Sequence, residues 1–195
     1  MCARYHHGDL RAALLVRAER TLREKGLSAL SLRELARDLG VSNAAPSRHF
    51  RDKQALLDAL ALTGFERLIG TLEASQREGE SFARRLRALG RAYAGFAVAN
   101  PALLDMMYAA KHHSAASDSV LAAGSKLAAI PEALITEGQH AAVVRAGDPE
   151  RLALGAFSAV HGYVSLLTSG MIRPELAPYG LDEVIEQVLR GLRPD

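Results

Sequence analysis

The segment from Asn43 to His49 carries the side chains that DNA readout requires. Asn43, Ala44, Ser47 and Arg48 combine small groups with hydrogen-bonding groups. Base edges in the major groove offer only donors, acceptors and the thymine methyl group, and the end of a short helix can bring such side chains against them. The pattern predicts contact with double-stranded DNA. The alternative is an ordinary helical hairpin in which Arg48 and His49 are only solvated.

A helix and a turn in front of this segment are expected to position it. Ser31 and Glu34 are three residues apart, so a hydroxyl and a carboxylate can reciprocally satisfy free backbone N–H groups as a capping box. This spacing predicts a helix that begins at Leu32. Gly40 is expected to end it, because glycine readily takes the left-handed conformation found after helices. Val41 would then fill the angle between the two helices.

The second helix of the motif is expected to be short. A proline deep inside a helix loses a hydrogen bond and clashes with the turn before it, so Pro46 belongs in the first turn. Ser42 or Asn43 is the expected N-cap, and Phe50 the expected core anchor. A preceding helix from Asp9 to Lys25 completes a three-helix domain with a helix-turn-helix.

Several short motifs follow one another in a specific order through residues 1–60. They are Tyr5-His6-His7-Gly8-Asp9-Leu10, the Ser31 capping box, Gly40-Val41-Ser42, His49-Phe50 and Asp52-Lys53-Gln54-Ala55-Leu56-Leu57. In this combination the segment resembles the N-terminal domain of the TetR family of one-component transcriptional regulators. Further along, Val160-His161-Gly162 resembles the C-terminal domain of the WHG type.

The resemblance implies roles for individual residues. Ser31 and Arg33 at the start of the second helix would meet phosphates, and Lys53 at the start of the fourth helix would meet the DNA backbone. The recognition helix would supply the contacts to bases or phosphates, from Asn43, Ala44, Ser47, Arg48 and His49. Family members commonly carry, where Ser47 stands, a tyrosine that supports backbone contact.

The distribution of charge agrees with a DNA-binding N-terminal part. Residues 1–60 contain eleven Lys and Arg against seven Asp and Glu, whereas residues 61–195 contain thirteen against fifteen. The positive field therefore lies where the motif is. The excess is modest, so nonspecific affinity should be limited and salt-dependent, with helix N-termini helping to hold phosphates.

Composition predicts an all-α chain of two domains. The chain is rich in Ala and Leu, has 49% hydrophobic residues and carries almost no strand pattern. We expect a helix-turn-helix DNA-binding domain at residues 1–55 and a larger ligand-binding and dimerisation domain at residues 56–195. The fourth helix, from Lys53 towards Glu78, would link them. Cys2 is the only cysteine, which excludes an internal disulfide and suits a cytoplasmic location.

Aromatic and methionine side chains of the second domain are candidates for lining a cavity. Methionines adapt to irregular shapes, so Met106 and Met107 suit a flexible apolar ligand. The proposed ligand-binding residues are Tyr93, Phe96, Met106, Met107, Tyr108, Phe157 and His161. Plain core packing is the alternative for each of them. The expected effector is a small apolar or amphipathic molecule, and no cofactor is predicted.

The last two helices are expected to form a dimer interface. The first of them, opened by Asp148 and Pro149, carries Gly155, Ala159 and Gly162, whose small size lets two helices approach closely. Two helices from each chain would form a two-fold four-helix bundle, as in the resembled family. The alternative is an internal core. A dimer also suits DNA, because two recognition helices can read a palindrome in successive grooves.

A membrane-spanning helix and a zinc site are two further possibilities. The uncharged stretch from Leu152 to Ile172 is long enough to span a membrane, but its serines and glycines favour a helix buried on nearly every side within a soluble protein. Four histidines could converge on zinc, namely His112, His113, His140 and His161. They have no carboxylate or cysteine at matching local spacing, so no metal site is predicted.

No catalytic pattern is found at usable spacing. The chain has no Ser-His-Asp set, no HExxH motif, no Gly-rich phosphate loop and no paired carboxylates. We therefore predict a non-enzymatic, ligand-responsive repressor that is a homodimer on a palindromic operator. A small all-helical carrier of hydrophobic ligands, or an enzyme, is the alternative.

Overall fold

The computed structural model describes residues 10–173 and 175–194. These residues form helices and no strand, which confirms the all-α prediction. The α-helices are α1 (Leu10–Lys25), α2 (Leu32–Asp38), α3 (Lys53–Ser75), α4 (Phe82–Ala99), α5 (Pro101–His112), α6 (Asp118–His140), α7 (Pro149–Thr168) and α8 (Ala177–Gly191). Single 3-10 turns occur at Leu27–Ala29 and Pro46–Arg48. The expected N-cap Asp9 lies outside the described residues.

The chain divides into two compact units. The first unit runs to Glu66 and also includes Ala102–Ala123, and the second comprises Arg67–Pro101 and the residues from Gly124 onward. Helix α3 therefore contributes residues to both units. The functional boundary expected after residue 55 stays a prediction.

The first unit has a core built from the apolar stripes of α1, α2 and α3. Its most buried side chains are Leu14, Ala18, Leu30, Leu35, Ala36, Phe50, Leu56, Leu60 and Phe65. Helix α5 approaches α3 closely at Gly64, where a β-carbon would lie 2.5 Å from the Met107 sulfur. A glycine is required there because a larger side chain would displace Met107 from its buried position.

The second unit packs α4 against α7 and α8. Ile185 and Val164 are almost completely buried, and Ile185 lies against Gly90 on α4. Two arginine forks join α4 to α8 at the surface. Arg87 donates to both carboxylate oxygens of Glu186 at 2.6 and 3.1 Å, and Arg91 donates in the same way to Asp182 at 2.9 and 3.0 Å.

Helix boundaries follow their local signals, with small shifts. Asp52 accepts a hydrogen bond from the Ala55 N–H at 2.8 Å and so caps α3, but α3 ends at Ser75 rather than near Glu78. Asp148 accepts from the N–H groups of Glu150 and Arg151, as expected of an N-cap. Helix α6 is continuous and contains Pro131.

One expectation about α7 is wrong for the single chain. The helix is not buried on nearly every side, since its buried residues are Ala153, Val160 and Val164 alone. Leu154 is 62% exposed and Leu166 is 49% exposed. The physical reason is that one face packs on the second unit's core while the opposite face, rich in glycine, serine and leucine, has no covering element within the described part of the chain.

Candidate nucleic-acid interface and effector site

The first helix of the motif begins and ends as expected, but without a capping box. Ser31 adopts an extended conformation before Leu32, yet its hydroxyl makes no capping hydrogen bond. Glu34 forms an ion pair with Arg37 at 3.6 Å instead of reaching back to the N-terminus. The Ser31 hydroxyl lies at the half-exposed start of α2, where no backbone N–H engages it.

Gly40 makes the turn of the motif. Its φ of 67° is left-handed, and the backbone closes as a Schellman motif. The Gly40 N–H donates to the Arg37 carbonyl at 3.1 Å, and the Val41 N–H donates to the Ala36 carbonyl at 3.0 Å. Val41 is half-buried in the angle that follows. A non-glycine residue at position 40 would strain this turn.

The second element of the motif is tighter than the helix expected there. Residues 42–50 form successive turns, with hydrogen bonds from Ala45 N–H to the Ser42 carbonyl at 2.9 Å and from Phe50 N–H to the Pro46 carbonyl at 2.9 Å. Only Pro46–Arg48 is a regular 3-10 turn, with Pro46 at its first position and no side-chain cap. The expected cap by Ser42 or Asn43 is therefore wrong, because neither side chain engages the start of this element.

Phe50 anchors the segment, as predicted. Its side chain is 2% exposed, and burying a phenylalanine contributes roughly 1.5–3 kcal/mol. Together with buried Pro46, it fixes residues 43–49 on the first unit. We call residues 43–49 the recognition segment.

The structure exposes the residues that were predicted to contact DNA. Six of them are exposed, namely Arg33, Asn43, Ala44, Ser47, Arg48 and Lys53, and two are half-exposed, namely Ser31 and His49. All eight belong to the first unit. The Lys53 ammonium donates to the Leu27 carbonyl at 3.3 Å, which holds it at the N-terminal end of α3.

Cations of the first unit fall into two groups. Four arginines have carboxylate partners, in the pairs Arg17–Asp38, Arg20–Glu24, Arg37–Glu34 and Arg51–Asp52. The Arg17 guanidinium, hydrogen-bonded to Asp38, holds the pKa of that carboxyl below its ordinary value. Within the described residues, Arg33 and Arg48 have no carboxylate oxygen within 4.0 Å. A phosphate can therefore pair with them without first breaking an internal ion pair.

Sequence reasoning missed Arg11 at this surface. The carbon of its guanidinium lies 5.5 Å from the centre of the Phe50 ring. The contact joins residues 39 positions apart, so no local spacing could indicate it. The N-terminal motif residues Tyr5, His6 and His7 lie outside the described residues.

Three of the residues proposed to bind a ligand come together in the second unit. The Tyr93 hydroxyl and the His161 Nδ1 atom are 2.7 Å apart. Phe157 stacks on the His161 ring with centres 5.3 Å apart, and the edge of Tyr93 meets Phe157 at 5.4 Å. Tyr93 is 5% exposed, whereas the two α7 residues are half-buried. We call these three residues the aromatic cluster.

Of the other four proposed ligand residues, one lies in the second unit and three lie in the first. Phe96 is buried in the second unit, with the Arg67 guanidinium 5.9 Å from its ring centre. Met106, Met107 and Tyr108 belong to the first unit, where both methionines are buried. Their role in ligand binding stays a prediction.

The described residues were compared with what a metal site and a membrane-spanning helix require. No group of three His, Cys, Asp or Glu residues is placed there to hold a metal ion. One described helix, α6, is long and apolar enough to cross a membrane by length and composition, and core helices of soluble proteins often meet the same criterion. The stretch from Leu152 to Ile172 does not meet it.

Two family models match the chain. One describes bacterial regulatory proteins of the tetR family and matches residues 14–60. The other describes a tetracyclin repressor-like C-terminal domain and matches residues 86–192. The second match alone spans more than half of the chain.

Similar proteins agree with these matches. The HTH-type transcriptional regulator Rv1816 of Mycobacterium tuberculosis (strain ATCC 25618 / H37Rv) is 29% identical over 102 residues, which are 51% of this chain and 44% of that protein. The match thus spans less than half the length of this curated relative.

A solved structure of a protein of unknown function from Rhodococcus sp. RHA1 is 45% identical, with a TM-score of 0.87 over 98% of this chain and all of that one. The TetR family transcriptional regulator PfmR from Thermus thermophilus shares the fold with a TM-score of 0.72 at 24% identity, over 92% of this chain and 98% of that one. Proteins of the TetR family are DNA-binding regulators rather than enzymes, which confirms the prediction of a non-enzymatic protein. With its helix-turn-helix, its helical C-terminal part and these matches, the chain belongs to the TetR family of DNA-binding transcriptional regulators.

Proposed function

We propose that two copies of this chain bind a palindromic operator in the cytoplasm, and that a small apolar or amphipathic molecule releases them, so that the protein acts as a repressor. The observation that carries this proposal is the recognition segment. Its polar side chains are exposed, and Arg48 has no carboxylate partner among the described residues. An exposed cation of this kind on a helix-turn-helix is suited to DNA.

The side chains fall into candidates for base contacts and candidates for phosphate contacts. An asparagine amide can pair with the donor and acceptor of adenine, and an arginine fork with the two acceptors of guanine or with a phosphate. Asn43 and Arg48 are the candidates for these contacts, while Ala44 is small enough to meet a thymine methyl group. Arg33 and Lys53 are placed on the flanking helices to hold phosphates.

The exposed face of α7 supports the homodimer. Leu154 and Leu166 are exposed on the same side as Gly155, Ala159 and Gly162. No atom lies within 4 Å of a β-carbon built on either glycine, so a second helix has room to approach. Apolar and small residues on one helix face are what a self-complementary two-fold contact requires. Paired copies would present two recognition segments to half-sites about 34 Å apart.

The aromatic cluster supports an effector site in the second unit. Tyr93, Phe157 and His161 offer ring faces to an apolar ligand and a hydroxyl–imidazole pair to a polar group. A ligand weakens DNA binding only if it prefers one arrangement of the paired recognition segments over another. The free energy by which the effector weakens DNA binding therefore equals the difference between its binding free energies for the free dimer and for the DNA-bound dimer.

Two measurements test the proposal. Native mass spectrometry of the freshly purified chain reports the number of subunits and the mass of any co-purified small molecule. Selection from a pool of randomised DNA duplexes reports the operator. We expect a dimer and an enriched sequence with two-fold symmetry. A clean monomer that enriches no sequence would contradict the proposal and favour a carrier or an enzyme.

A further inference from the structure

Arg11 occupies a position in the first unit to which the proposed function assigns no role. It is an exposed residue in the first turn of α1. Its guanidinium lies over the ring of Phe50, with 5.5 Å between the guanidinium carbon and the ring centre. Phe50 is buried and directly follows His49, the last residue of the recognition segment. This cation–π contact therefore places a positive charge at the C-terminal end of that segment.

The geometry leaves this charge available to a ligand. A guanidinium carries five N–H donors, and a cation–π contact with an aromatic ring occupies none of them with a hydrogen-bond acceptor oxygen. Within the described residues no carboxylate oxygen lies within 4.0 Å of Arg11. By contrast, the next two arginines of α1, Arg17 and Arg20, are paired with carboxylates.

We propose that Arg11, whose guanidinium lies over the Phe50 ring, donates to a backbone phosphate of the DNA that the recognition segment reads. The proposal rests on the DNA-binding function proposed above. A rigid aromatic support suits this task, because a stacked guanidinium loses less side-chain freedom when it meets a phosphate than a freely moving one does. Phe50 thus has two roles: it anchors the recognition segment in the core, and it orients the arginine beside that segment.

The test compares salt dependence in matched variants of the full chain. The probe is the duplex selected from the randomised pool, and the readout is the dissociation constant over a range of salt concentrations. Arg11→Ala is expected to weaken binding about tenfold or more. It should also lower the slope of log K against log salt by about 0.9 for each half-site, hence about 1.8 for a two-fold complex. Arg11→Lys should keep the slope but bind more weakly, because an ammonium is a point charge without a planar face.

Arg23→Ala is the matched control. Arg23 is also an exposed arginine of α1 with no carboxylate within 4.0 Å among the described residues, but it lies roughly 18 Å further along the helix. It should leave both affinity and slope unchanged. Thermal melting of each variant checks that the fold is intact.

Three outcomes would overturn the assignment. An unchanged slope for Arg11→Ala, even with weaker binding and a lower melting temperature, would show a structural role alone. An equal loss of slope for Arg23→Ala would show a diffuse effect of charge. Wild-type affinity for Arg11→Lys would remove the need for stacking on Phe50. If the wild type itself bound no duplex, the proposed function would fail, and that result is distinct from a wild type that binds with a slope Arg11→Ala leaves unchanged.

Discussion

The arginines of the proposed DNA-binding surface and those that join α4 to α8 are used in opposite ways. In the first unit, Arg33 and Arg48 stand exposed without a carboxylate within 4.0 Å among the described residues. In the second unit, Arg87 and Arg91 each donate two hydrogen bonds to one carboxylate of α8. An arginine already held by a carboxylate joins two helices, whereas one without a partner can receive a phosphate. Residue type alone therefore does not identify a DNA contact.

The units also differ in how far apart in sequence their key residues lie. The DNA contacts predicted from the sequence all fall between Ser31 and Lys53, and all of them are exposed or half-exposed. The aromatic cluster joins Tyr93 to His161 across 68 positions. A surface built from one short segment can be inferred from spacing, whereas a cluster built from two helices depends on how those helices pack. Variants in each unit test this difference.

The largest effect is expected from a charge on the exposed face of α7. Leu154→Glu would place a carboxylate, and its two-fold copy, within the proposed dimer interface. Each unpaired charge in an interface costs about 2–5 kcal/mol, so the two symmetric copies together should cost about 4 kcal/mol or more and raise the dimer dissociation constant roughly a thousandfold or more. Analytical ultracentrifugation measures it. The control is Val98→Glu on α4, a position 47% exposed, which should leave the dimer intact. A Leu154→Glu chain that stays dimeric would place the interface elsewhere.

The next largest effect concerns the recognition segment. Arg48→Ala should weaken binding to the selected duplex by about 1–3 kcal/mol for each half-site, because a bidentate contact to a base or phosphate is lost. Its thermal stability should match the wild type, since the Arg48 side chain is exposed. Fluorescence anisotropy with the labelled duplex reports the affinity, and Arg23→Ala serves as the control. Equal affinity for Arg48→Ala and the wild type would mean that the recognition segment is misassigned.

Much of the first unit could be predicted because its signals are local. The start of α2 at Leu32, the left-handed Gly40 and the buried Phe50 each follow from residue type and spacing. The capping box failed because Glu34 finds a nearer partner in Arg37. The spacing of Ser31 and Glu34 shows only that the reciprocal hydrogen bonds are possible, and the ion pair competes with them.

The remaining features depend on packing that the sequence does not display. Proline at position 46 marks the start of a helical element, but whether it continues as a regular helix depends on how its anchors Pro46 and Phe50 are buried. From its sequence, α7 is expected to be buried on nearly every side because it carries no charged residue between Leu152 and Thr168. Uncharged residues are equally suited to a chain's own core and to a contact between two copies, so the sequence does not distinguish the two. The Arg11 stacking contact has no local signal at all.

In the second unit, a smaller effect is expected from the aromatic cluster. Tyr93→Phe keeps the buried ring but removes the hydroxyl that meets His161 at 2.7 Å. Loss of one buried hydrogen bond should lower the free energy of unfolding by about 0.5–1.5 kcal/mol. Urea denaturation measures the change. Tyr179→Phe is the control, because Tyr179 is 73% exposed. If both variants were as stable as the wild type, the hydroxyl–imidazole contact would contribute nothing to folding.

The smallest effect is expected from the surface forks of the second unit, and its dependence on pH has a definite sign. The hydrogen bond from Arg91 lowers the pKa of Asp182 below its ordinary value, against a smaller opposing effect of burial. The unfolded chain has the ordinary aspartate pKa of about 3.9, so it binds a proton more readily than the folded chain. The pair therefore stabilises the fold above that pH, and the contribution is lost as the pH falls through the lower pKa of the folded state.

Asp182→Asn tests this sign. Both partners of the fork are more than half exposed, so solvent screening limits the loss at neutral pH to about 0.5 kcal/mol. The variant should melt slightly below the wild type at pH 7, and the difference should narrow as the pH falls through the lowered pKa of the aspartate. Glu183→Gln removes a neighbouring charge of α8 that has no ion pair among the described residues, and should show no such convergence. A difference between Asp182→Asn and the wild type that did not narrow at low pH would trace the stability to packing at position 182 rather than to charge. The contrast between the arginines that bind carboxylates and those proposed to bind phosphates would then lose its energetic basis.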